Sequence, residues 1–187
     1  MRTTRPAAAL LALSLLPAVA AGFVLPGPYV IKQAAKAAKA RRGVQARYAI
    51  TTAHGAAEVA VRIDSGGIAH LDTRAPPPEP RLVAALLAGD VAAVVAHIGA
   101  DAFATTLQRF DHRIAIAIGD DVGRPGLPAV WVDRERFVPL RVVAGEVEVR
   151  LLGIQGLASS HGLPERIEVR LRGALAWAAR LVAPPKR

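Results

Sequence analysis

Five histidines, His54, His70, His97, His112 and His161, are the first candidates for chemistry. No two fall at a metal-binding spacing such as H-x-x-x-H, so no ring pair faces one ion from a single helix turn. Ser159-Ser160-His161 sets a serine beside a histidine, but sequence neighbours do not make a triad, and no G-x-S-x-G elbow presents a nucleophile. A hydrolase using Ser160 and His161 remains a rival reading that a double alanine substitution would test. Asp120-Asp121 sits in a glycine-rich loop without the D-x-D-x-D-G order of a calcium loop. Glu146 and Glu148, two apart on one strand face among arginines, are expected to face solvent. Gly66-Gly67 belongs to no phosphate-loop pattern. With no cysteine anywhere, disulfides, thiolate-held zinc and a thiol nucleophile are excluded. The residues give no sign of an enzyme and require no cofactor or metal.

The elements that would position a binding site are clearer. Tyr29 to Arg42 reads as a helix, with Lys32, Lys36 and Lys39 on one face and Val30, Ala34, Ala37 and Ala38 opposite. Arg41 and Arg42 then complement the dipole in the last turn, and Gly43 stops the helix. The period next changes to two. Arg47 to Thr51 starts a strand, His54-Gly55 is a turn, and Val59, Val61 and Ile63 alternate with Ala60, Arg62 and Asp64. Ser65-Gly66-Gly67 is a hairpin turn leading to a strand over Ile68–Asp72. Ala75 to Pro80 (APPPEP) is a stiff connector. Arg81–Ala88 and Asp90–Ile98 are two short helices, ended by Gly89 and capped by Asp90 respectively. Strands follow: Ile114, Ile116 and Ile118 alternating with Ala115 and Ala117, then Ala129–Asp133, Phe137–Val143, Glu146–Leu152, Ile167–Leu171 and Leu175–Leu181. Pro139 marks an edge or a bulge. There is no internal repeat. Helix, strands, helical insertion and meander give an α+β fold with a curved antiparallel sheet.

The N-terminus reads as an export signal. MRTTRP is basic, Ala7–Ala20 is apolar, and Ala18-Val19-Ala20 offers small residues for cleavage at Ala20–Ala21. The run is shorter than a spanning helix, which needs roughly 20 apolar residues, and Pro17 interrupts it. The expected organisation is a signal peptide over 1–20 and one mature domain over 21–187, in the periplasm. The segment 1–20 carries Arg2, Arg5 and no acid, so the mature part keeps +7 of the formal +9. Such charge favours anionic partners, but export and the lack of aromatic-interleaved basic stretches argue against nucleic acid.

One stretch, Arg113 to Val143, carries a resemblance. Its Trp131, Asp133, Glu135, Phe137, Pro139, Leu140 and Arg141 form V-W-V-D-x-E-x-F-x-P-L-R, and Gly162-Leu163-Pro164-Glu165-Arg166-Ile167 follows later. These segments resemble the outer-membrane lipoprotein-sorting proteins, the LolA/LolB-like periplasmic lipoprotein carriers and the sensor domains that share their fold. The resemblance implies an unclosed antiparallel half-barrel whose N-terminal helix and mid-chain helical insertion cover its concave side. It also implies lipid or lipoprotein acyl chains as partners, with envelope membrane proteins as further candidates. Carriers have aromatic-rich pockets, whereas aromatics make up only 4% of this chain. The expected lining is therefore aliphatic: Ile114, Ile116, Ile118, Val130 and Val132 from the sheet, and Leu86, Val94 and Val95 from the helices as a lid. The alternative on the same scaffold is an envelope protein-interaction or sensor module with a filled core.

Overall fold

The computed structural model describes residues 24–52, 55–119, 127–154, 162–183 and 185–186. The expected export segment over 1–20, His54, Asp120-Asp121 and Ser159-Ser160-His161 lie outside the described residues. The chain opens on α1 (Gly27–Ala38), which tightens into a 3₁₀ turn over Lys39–Arg41. Three strands follow, β1 (Gln45–Thr52), β2 (Gly55–Ile63) and β3 (Ala69–Thr73). The helical insertion is α2 (Pro80–Ala88) and α3 (Val91–Ile98). The remaining strands are β4 (Thr105–Phe110), β5 (Arg113–Ile118), β6 (Ala129–Asp133), β7 (Pro139–Ala144), β8 (Val147–Leu152), β9 (Arg166–Leu171) and β10 (Ala174–Leu181).

These strands form one antiparallel sheet in the order β3-β2-β1-β10-β9-β8-β7-β6-β5-β4. The two ends, β3 and β4, do not pair, so the sheet is an unclosed half-barrel and the fold is α+β. The insertion that links them in sequence packs on the inner face, with α2 against β3, α3 against β6, and α1 against α3. Register places one apolar row on that face. Ile116 opposes Val132, Ile118 opposes Val130, Val130 opposes Val142, and Val142, Val149 and Val169 continue it. All of them are fully buried. Among the described residues, no helix is long and apolar enough to cross a membrane.

Local signals explain most elements. Gly89 ends α2 at φ +80°, and a Cβ there would lie 3.1 Å from that of Ala38, so glycine lets α1 and α2 approach. The Asp90 carboxylate accepts from the Ala93 N–H and caps α3. At the β2–β3 hairpin it is Gly67, at φ +94°, that takes the left-handed conformation. Pro139 opens β7 inside the sheet rather than at an edge. A bulge between Trp131 and Val132 accommodates it, and the neighbouring bond from Asp133 N–H to the Val138 carbonyl holds the turn.

Candidate functional site

The inner space is where a ligand would be held. Seven of the eight proposed lining residues meet there: Ile116 and Ile118 on β5, Val130 and Val132 on β6, Leu86 on α2, Val94 and Val95 on α3. They belong to one core cluster, and none is more than 7% exposed. Ile114 stands apart at 47% exposure. It is the second residue of β5 and pairs with Arg109 on the edge strand. There it borders an open 550 Å³ surface pocket with His112, Arg113, Asp133, Arg134 and Glu135. Ala115 and Ala117, expected only to separate the isoleucines, are fully buried as well. Trp131 lies opposite Ala117 on the outer face and contributes to that cover.

The sequence pattern points Arg41 to the dipole of its own helix. It is fully buried instead. Val30, Ala34, Ala37 and Arg41 follow at i, i+4, i+7 and i+11, the inward stripe of α1, and this spacing is the signal that could have found it. Its Nη1 donates to the carbonyls of Leu86 at 3.1 Å and Leu87 at 2.8 Å. These carbonyls belong to the last turn of α2, where that of Leu86 also accepts the Gly89 N–H at 3.0 Å. A cation there also opposes the negative end of the α2 dipole. The rest of the guanidinium is less well served: Nε and Nη2 are buried without a partner among the described residues. Burial lowers the Arg41 pKa to about 10, against a smaller opposing effect of Tyr48. The group therefore stays charged at neutral pH.

Tyr48 is the second polar residue inside. Burial pushes its pKa up, although the Arg41 charge pulls the other way. As a neutral phenol it donates to the Pro164 carbonyl at 3.0 Å, tying the segment before β9 across the interior. Trp177 makes a third tether. The bulge between Leu175 and Trp177 sets it opposite Val169 on the inner face, and its Nε1–H donates to the Ala75 carbonyl at 3.0 Å. The insertion is thus tethered at two points, by Trp177 at the connector before it and by Arg41 where α2 stops.

The outer face carries the paired charges. Arg141 Nε lies 2.6 Å from Glu148 and Arg150 Nε 2.8 Å from the same oxygen. The Arg141 guanidinium sits 4.2 Å over the Trp131 ring, whose Nε1–H donates to Gln108. Glu148 is therefore largely covered by its arginines rather than solvent-facing as expected, whereas Glu146 is exposed. Burial raises its pKa, but the hydrogen bonds and charges of Arg150 and Arg141 outweigh that and lower it. Asp133 is nearly buried, takes Arg113 at 2.9 Å and accepts the N–H groups of Glu135 and Arg136. Among the described residues, no group of three or more His, Asp or Glu side chains could hold a metal ion.

These features define the class: an open antiparallel half-barrel with an aliphatic interior under a helical cover. No protein-family model matches the chain, and no curated protein does. Among solved structures, the chain is similar to a LolA superfamily protein from Nitrosomonas europaea. The identity is 13% over 87% of this chain and 94% of the other, with a TM-score of 0.47.

Proposed function

We propose that this protein is an exported carrier of the periplasm that shelters acyl chains between its sheet and its helices, performing no chemistry on them. The observation that carries this reading is the clasp at Arg41. A fully buried cation holds the end of α2 through two carbonyls while two of its own nitrogens lack partners among the described residues. Such a group costs free energy to desolvate and recovers only part of it. The closed cover is thereby held by a polar contact with little to spare, and the apolar surfaces beneath are aliphatic. Each methylene buried there contributes about 0.8 kcal/mol. A chain entering between α2–α3 and β5–β6 would replace the contacts of Leu86, Val94 and Val95 with its own.

The second reading, an interaction or sensor module, is favoured by one observation: Ile116, Ile118, Val130 and Val132 are fully buried with the cover closed. Titration with a fluorescent fatty acid separates the two. The carrier reading expects saturable binding, tighter in Arg41→Met, because loosening the clasp raises the population competent to bind. It also expects weaker binding in Ile116→Trp, whose ring occupies the ligand's space. In the closed state that ring overpacks the interior at about 1–3 kcal/mol. No binding by either the wild type or Arg41→Met rejects the carrier in favour of the filled module.

A further inference from the structure

The outward side of α1 is exposed, with Tyr29 at its head meeting the Phe137 ring edge-on at 6.3 Å. Tyr29, Lys32, Lys36 and Lys39 follow at i, i+3, i+7 and i+10, within roughly 80° of one another around a helix of 3.6 residues per turn. All four are exposed, while Val30 and Ala34 on the other side are buried. The segment from Gly27 to Gly43 contains no acid. Among the described residues, the ion pairs take none of these lysines.

Such a stripe works against its own helix. Lys32 and Lys36 are like charges at i, i+4, and both repel. The choice of residue is also uneven. The chain has four lysines and twenty arginines, and three of the lysines stand here. Elsewhere the protein answers its carboxylates with arginine, as at Glu148 and Glu168. Arginine's planar fork suits a fixed carboxylate. Lysine is a hydrated point charge on a flexible stem, which suits a diffuse array of anions. Tyr29, 46% exposed at the head of the stripe, adds an amphipathic ring of the type that settles at a membrane–water boundary.

We infer that this stripe is a docking surface for the anionic phospholipid headgroups of a membrane. The surface lies one helix turn from the Arg41 clasp and on the helix that packs against α3, so docking brings the cover to the bilayer. The inference does not rest on acyl-chain binding, and its test uses none. The readout is the ratio of partition onto vesicles of phosphatidylcholine with phosphatidylglycerol, in equal parts, to partition onto phosphatidylcholine alone. Each basic residue at an anionic surface raises partition by roughly fivefold. Lys32→Gln/Lys36→Gln/Lys39→Gln is therefore expected to lower the ratio on the order of a hundredfold, with a melting temperature no lower than the wild type's, and salt is expected to lower it in the wild type. Arg180→Gln, an exposed change on the outer face of β10, is expected to leave the ratio nearly unchanged. A wild-type ratio near unity overturns the inference. So does a triple variant that partitions like the wild type, or an Arg180→Gln loss as large as that of Lys36→Gln alone.

Discussion

Arg41 and Arg141 are the same side chain handled in two ways. Arg141, on the outer face, lies over the Trp131 ring and meets a carboxylate that also serves Arg150. Arg41, on the inner side, is wholly buried, has two carbonyls and no counter-charge, and leaves Nε and Nη2 without partners among the described residues. The chain has the means to satisfy an arginine and uses them where strands β6 to β9 must stay in register. Inside, among the described residues, Arg41 is anchored by carbonyls of the helix being held. On this difference the inner contact is expected to give before the outer network, an order that the following variants test.

The largest expected effect comes from emptying the Arg41 position. Arg41→Ala removes both hydrogen bonds and leaves a cavity, so a loss of about 2–5 kcal/mol is expected, as for other large-to-small changes in a core. Arg41→Met keeps the bulk and removes the charge. It loses the same hydrogen bonds, which leaves the Leu87 carbonyl without that donor, but it also loses the desolvation penalty of the guanidinium. Its expected cost is about 1–3 kcal/mol, toward the lower end of that range. Urea unfolding of both variants measures the pair. Equal losses in Ala and Met would mean that the two carbonyl bonds outweigh the penalty, and the contrast with Arg141 would fail.

A smaller effect is expected at the other tether of the cover. Trp177→Phe keeps an aromatic ring on the inner face but leaves the Ala75 carbonyl without its indole donor. The expected loss is about 0.5–1.5 kcal/mol. Hydrogen exchange distinguishes the two tethers. Amides of α2 should exchange faster in Arg41→Met than in Trp177→Phe, because Arg41 holds the helix itself and Trp177 only the connector before it. The reverse order would make the entry of the insertion, not its Arg41 end, the weaker point.

How much of this the sequence disclosed follows from the range of each interaction. Alternation alone located β2, β5, β8 and β9, and Gly89 with Asp90 split the insertion into α2 and α3 where they stand. These signals are local and repeat within a few residues. Strand β4 left almost no trace. Thr-Thr-Leu-Gln-Arg-Phe alternates weakly, and its turn to β5 is Asp111-His112, both at positive φ without a glycine to announce it. Seven positions of the candidate lining, on β5 and β6 and in the two helices of the insertion, were readable as apolar periodicity. Their packing against one another across the half-barrel depends on pairings that no local pattern contains. Arg41 was hidden because a terminal arginine normally serves its own helix. Its partners at Leu86 and Leu87 lie 45 and 46 residues away. Glu148 was hidden for a similar reason, since Arg141 reaches it only after β7 and β8 pair.

The smallest and most selective test concerns Glu148. Its carboxyl is held below the ordinary value of 4.5 in the folded protein, because its arginine partners outweigh the effect of burial. A carboxylate with a depressed folded pKa stabilises the fold fully above its unfolded pKa. It loses that contribution as pH falls through the folded value. Glu148→Gln removes this contribution at every pH. The wild type should therefore exceed the variant by about 0.2–1 kcal/mol near neutrality, the range for ion pairs that solvent partly screens. The gap should close as the pH drops below 4.5. Asp64, whose carboxyl is also held low, by the Ile68 N–H and then by His70, titrates in the same window. It is common to both proteins and cancels from the difference. Added salt should narrow the Glu148 gap at neutral pH and leave the gap between wild type and Arg41→Met nearly unchanged, since buried groups are screened far less than exposed ones. Thermal melts across pH and ionic strength read both. A Glu148 gap that persists into acid would show that the carboxylate's charge contributes nothing. The outer arginines would then be held by packing on Trp131 and Phe110, and the two faces would differ in shape rather than in how they satisfy charge.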